Sequence, residues 1–164
     1  MNYHTIKYDD MLNGDGLRAV LFVSGCEHHC KNCQNPQTWD PNSGKQFTEK
    51  QLNDILEYLK NDYAAGLTIT GGDPLHPLNV REVYNICKAV KKAFPHKTIW
   101  LYTGYTYDEI IKKTFNSITD ITNIASVLVD RYVDVLVDGK YIESLADTQY
   151  HWAGSTNQKV IRLK

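Results

Sequence analysis

The chain has 164 residues, 42% of them hydrophobic, which suits a single domain over residues 1–164 with its own core. Its formal net charge of −1 gives no global pull toward nucleic acid or an acidic membrane surface. No apolar run approaches the roughly 20 residues that span a bilayer, and the N-terminal segment lacks the apolar stretch of a secretory signal.

Leu17 to Val23 reads as the first strand, with Arg18 a candidate to pair with a carboxylate. It runs through Ser24-Gly25 into Cys26, Cys30 and Cys33, which places three thiols on a loop at a strand's carboxyl end. Gaps of three and two residues let these sulfurs face one small volume at little loop-closure cost. Three thiols are one short of the usual four-cysteine set of an iron–sulfur cluster. They are equally one short of a closed zinc site, for which His28 or His29 would have to supply the fourth ligand. Spacing alone leaves cluster, zinc and incidental thiols open. Outside the zinc reading, His28 and His29 are expected to be solvent-facing loop residues.

Further along, Thr48-Glu49-Lys50-Gln51 forms a capping box that opens a helix with Leu52, Ile55, Leu56 and Leu59 as its apolar stripe. Gly66 to Thr70 is a short strand ending at Gly71-Gly72-Asp73-Pro74. Paired glycines there form a tight turn, or let backbone approach a ligand that a Cβ would exclude. His76 next to them has a packing role or a place beside the pocket. Asn79 is the expected N-cap of a second helix carrying Val83, Ile86, Val90 and Phe94, stopped by Pro95. Cys87 falls within that pattern and reads as a buried helix thiol. With the other cysteines clustered rather than paired and dispersed, a reducing cytoplasm is the expected compartment.

Thr98 to Tyr102 is a strand leading into Thr103-Gly104-Tyr105, and Thr106 or Asp108 caps a third helix through Ile110 and Ile111. Residues 116–123 are polar and carry no assignable pattern. Val133 to Val137 is a further strand ending at Asp138-Gly139-Lys140, expected as a solvated turn, and Gln158 to Leu163 is a last strand. Strand–helix alternation argues an α/β fold with a mostly parallel sheet, since parallel neighbours need crossovers. Sites on such sheets gather at the strands' carboxyl ends. The cysteine loop, Gly71-Gly72-Asp73, Thr103-Gly104 and Asp138-Gly139-Lys140 all fall there.

Ser24-Gly25-Cys26, Cys30 and Cys33 resemble the cluster motif of the radical S-adenosylmethionine (radical SAM) superfamily. That resemblance implies a partial, incomplete β/α barrel, since a full eight-fold barrel takes about 250 residues. It also implies a 4Fe-4S cluster on Cys26, Cys30 and Cys33, with S-adenosylmethionine on the remaining iron. Gly71, Gly72 and Asp73 match the stretch that receives the cofactor's amino group. Where the superfamily often has an aromatic residue this chain has Asn32, which leaves backbone contacts from Asn32, Cys33 and Gln34. Thr103 and Gly104 are candidates for ribose or carboxylate contacts.

Asn13-Gly14-Asp15-Gly16-Leu17-Arg18, Cys33-Gln34-Asn35-Pro36, Gly71 through Pro77, Trp100 through Tyr105, Val135 through Lys140 and Gly154-Ser155-Thr156-Asn157-Gln158 narrow the likeness. In that order they resemble the family that activates anaerobic ribonucleoside-triphosphate reductase. Such membership implies reductive cleavage of S-adenosylmethionine and a 5′-deoxyadenosyl radical that makes a glycyl radical on the reductase's large catalytic subunit. A flavodoxin or ferredoxin-like protein is the implied electron donor. The chain departs from the family at Ala153, where an arginine is common, and in a longer segment from Thr114 to Asp130. Rival readings are another radical SAM glycyl-radical activase, a small-molecule modifying enzyme, or a non-catalytic zinc-stabilised interaction module.

Overall fold

A computed structural model describes residues 1–112 and 121–164. Its strands are β1 (Asn2–Asp10), β2 (Leu17–Val23), β3 (Lys45–Gln46), β4 (Ala64–Gly71), β5 (Thr98–Tyr102), β6 (Val135–Asp138) and β7 (Lys159–Arg162). They form one seven-stranded sheet in the order β3-β1-β2-β4-β5-β6-β7. The middle is parallel, with β2 on β4, β4 on β5 and β5 on β6. Both flanks are antiparallel, through β1 on β2, β1 on β3 and β6 on β7. The expected parallel sheet therefore holds at the centre of a mixed α/β sheet.

Alternation along the central strands separates two faces. Ala19, Leu21, Val23, Leu67, Ile69, Ile99, Leu101 and Leu136 belong to one buried core. Into it pack Ile55 and Leu59 of helix α1 (Glu49–Leu59) and Val83, Ile86 and Val90 of α2 (Val80–Ala93). Ile110 of α3 (Tyr107–Lys112) and Leu128 of α4 (Ile121–Tyr132) complete it. Cys87 is fully buried in this core, as a helix thiol should be. The opposite face carries Arg18, Thr68, Thr70, Trp100 and Tyr102, and it is the face that leads to the site.

Strand β1 has no counterpart in the sequence reading. Its apolar residues Tyr3 and Ile6 both pack on the core although three apart, because a register shift between Tyr3 and Thr5 interrupts the period of two. Two of the three expected helix starts hold, and the remaining one differs in what its side chain does. Thr48 N–H donates to Gln51 Oε1 at 3.1 Å, as a capping box requires. The third helix is capped by Thr106 rather than Asp108, with Glu109 N–H on Thr106 Oγ1 and Thr106 N–H on Glu109 Oε2. The Asn79 side chain caps nothing; its amide bonds the carbonyls of Ser24 at 2.7 Å and Asp73 at 3.0 Å. Most of the unpatterned stretch 116–123, and part of the longer segment 114–130, lies outside the described residues.

Arg18 finds no carboxylate. Fully buried, it bonds Thr68 Oγ1, Thr98 Oγ1 and the carbonyls of Asp15, Leu67 and Thr98 at 2.8–3.0 Å. Its guanidinium also lies 5.6 Å from the centroid of the Trp100 ring. Burial lowers its pKa to about 10, so it stays charged at neutral pH. Five donors on one rigid fork thus tie β2, β4, β5 and the preceding loop together at the strands' amino ends. Replacing Arg18 with Met strands these buried acceptors and should cost about 3 kcal/mol or more of stability. A urea midpoint shift at constant m measures this; a loss under about 1 kcal/mol would show that the tie is dispensable.

Candidate functional site

At the carboxyl end of β2 the chain turns through Gly25, whose φ is +100°. Gly25 N–H donates to Thr38 O at 2.7 Å and Cys26 N–H to Trp39 O at 3.0 Å, closing the loop at its base. Within it His29 and Asn32 adopt left-handed backbone, with φ of +46° and +54°, and Cys33 N–H reaches Cys30 O at 3.1 Å. These bends turn Cys26, Cys30 and Cys33 into one cavity of about 610 Å³. All three are free and partly buried.

The turn after β4 runs alongside this loop. Gly72 N–H donates to Val23 O at 2.8 Å and Asp73 N–H to Gly25 O at 2.7 Å. A Cβ on Gly72 would stand 2.6 Å from Gly25 O, and one on Gly71 would stand 2.9 Å from Phe22 Cα. Close passage of two backbones therefore demands both glycines, and both also line the cavity.

Asp73 is 2% exposed and its carboxylate is fully engaged. Leu75 N–H donates at 2.8 Å, Thr103 Oγ1 at 2.9 Å, Gly104 N–H at 3.0 Å and His28 Nε2 at 2.7 Å. Thr103 and Gly104, expected as cofactor contacts, spend their polar groups on Asp73 while bordering the cavity. His28 corrects the expectation of a solvent-facing residue: its side chain is 7% exposed and its ring meets Tyr105 edge-on, centroids 4.6 Å apart. His29 is exposed as expected and lies against Trp39. Asn32 is exposed and directs its side-chain amide to Glu143. Gln34 lines the cavity beside Cys33.

Across the cavity, Asp138 is buried rather than solvated and accepts from Tyr107 N–H and Lys159 N–H. Lys140 beside it is exposed. Gln158 explains part of the C-terminal motif: its Oε1 takes Gly154 N–H at 3.0 Å while its Nε2 donates to Gly139 O at 2.9 Å. That staple holds the segment with Trp152 and Ala153 against the end of β6, where it forms a cavity wall. His76 is buried and packs below Gly25, its Nδ1 accepting from Leu78 N–H.

Burial pushes the Cys26 thiol up to about 11, with the Asp73 charge adding and the N–H groups of His28 and His29 opposing. Burial raises Cys30 as well. Metal coordination reverses this, since a ligating thiol is deprotonated outright. Among the described residues no group of three His, Cys, Asp or Glu side chains converges on a single ion. With His28 Nε2 on Asp73 and His29 turned outward, the loop does not build the closed zinc site. The donor set suits a cluster that spreads its thiolates over several irons.

Residues 12–161 match the family model described as a 4Fe-4S single cluster domain. An anaerobic ribonucleoside-triphosphate reductase-activating protein of Enterobacteria phage T4 is 42% identical, covering 98% of this chain and 93% of its own length. Proteins of that name from Vibrio cholerae and Escherichia coli K12 are 41% and 39% identical, each over at least 99% of both chains.

The burial difference among the thiols has a direct readout. In native, metal-free protein at pH 8, an alkylating reagent should modify Cys26, Cys30 and Cys33 but spare Cys87. The last is enclosed in α2 and pushed up to about 12 by burial. Mass spectrometry that finds Cys87 modified without denaturant would contradict this packing.

Proposed function

The chain belongs to the family of anaerobic ribonucleoside-triphosphate reductase-activating proteins, and from that premise we propose that it is a radical SAM activase. Its target is a glycine on the large catalytic subunit of anaerobic ribonucleoside-triphosphate reductase. One observation carries the reading: three thiols of one loop share a cavity with the Gly71-Gly72 turn of the neighbouring parallel strand.

Cys26, Cys30 and Cys33 would hold a 4Fe-4S cluster, and S-adenosylmethionine would bind beside it in the same cavity. When bound, cluster and cofactor supply electron transfer from a reduced flavodoxin or ferredoxin-like donor and hydrogen abstraction from the partner's glycine Cα. The protein's task is to position them. Gly71 and Gly72 offer bare backbone on one wall of the cavity, where the methionine end of the cofactor fits. Cys33 and Gln34 line the same cavity, and the adjacent Asn32 would add a backbone contact. Asp73, Thr103 and Gly104 stand behind these contacts and fix the turns that make them. A cavity of about 610 Å³ lies within the ordinary range of roughly 300–1,000 Å³ for small-molecule and cofactor sites.

The mixed sheet is read as an incomplete barrel of the radical SAM type, since 164 residues fall short of the about 250 that a closed eight-fold barrel takes. Its open side suits a loop of a protein substrate. The zinc-module reading is disfavoured by His28, whose tip nitrogen is committed to Asp73.

Anaerobic reconstitution tests the proposal. Wild-type protein should take up about four irons and four sulfides per chain, and with a chemical reductant should cleave S-adenosylmethionine. Co-incubation with the reductase should produce a glycyl radical signal by electron paramagnetic resonance. Cys30→Ala should lose cofactor cleavage by at least about a hundredfold. A colourless protein with one zinc and no sulfide would overturn the cluster, while cleavage without a glycyl radical would point to another protein target.

A further inference from the structure

The ends of the cysteine loop are secured by backbone, through Gly25 on Thr38 and Cys26 on Trp39. Its middle is not secured in that way. At its rim the exposed Glu27 faces the buried His76 at 3.6 Å, the exposed His29 lies against Trp39, and Lys31 and Asn32 reach the exposed Glu143. Between Cys26 and Cys30 one side chain turns inward, that of His28.

What His28 meets is rigid. Asp73 receives it at 2.7 Å after being oriented by Leu75 N–H from the turn after β4 and by Thr103 and Gly104 from the turn after β5. Tyr105 closes one side of the imidazole. At Gly104 an added Cβ would overlap the ring itself. Three strand ends are thus shaped around one imidazole. Because the carboxylate can only accept, His28 Nε2 carries the proton and donates it. Both oxygens of Asp73 are already served inside the protein, so its charge is spent on the loop.

We propose that His28 is a positioning residue: anchored on Asp73 in the niche left by Gly104, it holds Cys30 at its place in the cluster site. Asp73 acts through His28 rather than by taking the cofactor's amino group. The inference rests on the activase reading for its purpose, but the anchor itself belongs to the metal-free chain. Its logic is that of a carboxylate that orients a metal site from behind the ligands.

The first measurement is made on metal-free protein. The alkylation rate of Cys30 and hydrogen exchange of residues 27–34 report how firmly the loop is held, whether or not a cluster ever binds. His28→Ala should speed Cys30 labelling by about tenfold or more. Gly104→Ala should do the same by displacing the His28 ring, with His28, Asp73 and the cysteines themselves unsubstituted. His28→Gln keeps a donor at the same reach and should restore labelling to within about threefold of wild type. Urea unfolding of each variant separates local release from global loss of fold.

The second measurement is iron and sulfide uptake, followed by titration of S-adenosylmethionine. His28→Ala and Gly104→Ala should lower uptake by half or more, with His28→Gln near wild type. Cys30 labelling within twofold of wild type in both His28→Ala and Gly104→Ala would overturn the proposal. So would Asp73→Asn that weakens cofactor binding yet leaves Cys30 labelling unchanged. Should His28→Ala fail to fold, Gly104→Ala and His28→Gln decide the matter. If wild-type protein takes up no cluster, the activase reading fails while the labelling result still stands for the anchor.

Discussion

A carboxylate with 2% exposure cannot be left without donors, and Asp73 gathers its own from three separate loops. Leu75 N–H comes from its own turn, Thr103 and Gly104 from the end of β5, and His28 from the cysteine loop after β2. Charge-assisted bonds of this kind are short and directional. They convert three strand ends that are merely adjacent into one rigid rim. Everything at the site that needs fixed geometry depends on that rim: the path of the thiols, the bare backbone of Gly71 and Gly72, and the mouth of the cavity.

The opposite end of the same sheet is organised by a buried charge of the other sign. Arg18 sits at the amino ends of β2, β4 and β5 and bonds only neutral oxygens. An isolated buried ion is costly, but a guanidinium whose donors are all matched is tolerated and stays charged. The parallel centre of the sheet explains why both arrangements exist. Parallel strands put all amino ends on one side and all carboxyl ends on the other, so a structural tie and a site can be built without competing.

Much of this was legible in the chain. The thiol triplet, the strands at 17–23, 66–70 and 98–102, the helix stripes and the buried Cys87 follow from spacing and periodicity. The missed features share a cause, which is that they depend on contacts made far away in sequence. Strand β1 hid because a register shift put Tyr3 and Ile6 on one face. Asn79 looked like a cap because a cap is local, yet its amide serves Ser24 and Asp73. Asp138 looked solvated beside Gly139, but Tyr107 and Lys159 approach it from two other elements. His28 was the hardest to read, since its partner Asp73 lies 45 residues on. The signal that could have found it was the glycine at 104, whose need for space the sequence shows only as a turn.

Two of the tryptophans stand at the site, and the third reaches it through one of them. Trp152 lines it, Trp100 meets Trp152 edge-on with centroids 5.7 Å apart, and Trp39 takes the Cys26 N–H on its carbonyl and His29 against its ring. These are the three tryptophans of the chain. Trp100 also stands over Arg18, so it is Trp152 and Trp39 that put ultraviolet emission beside the cavity and the cysteine loop. That emission is a built-in optical probe, poised to be quenched by an absorbing metal centre placed among the thiols.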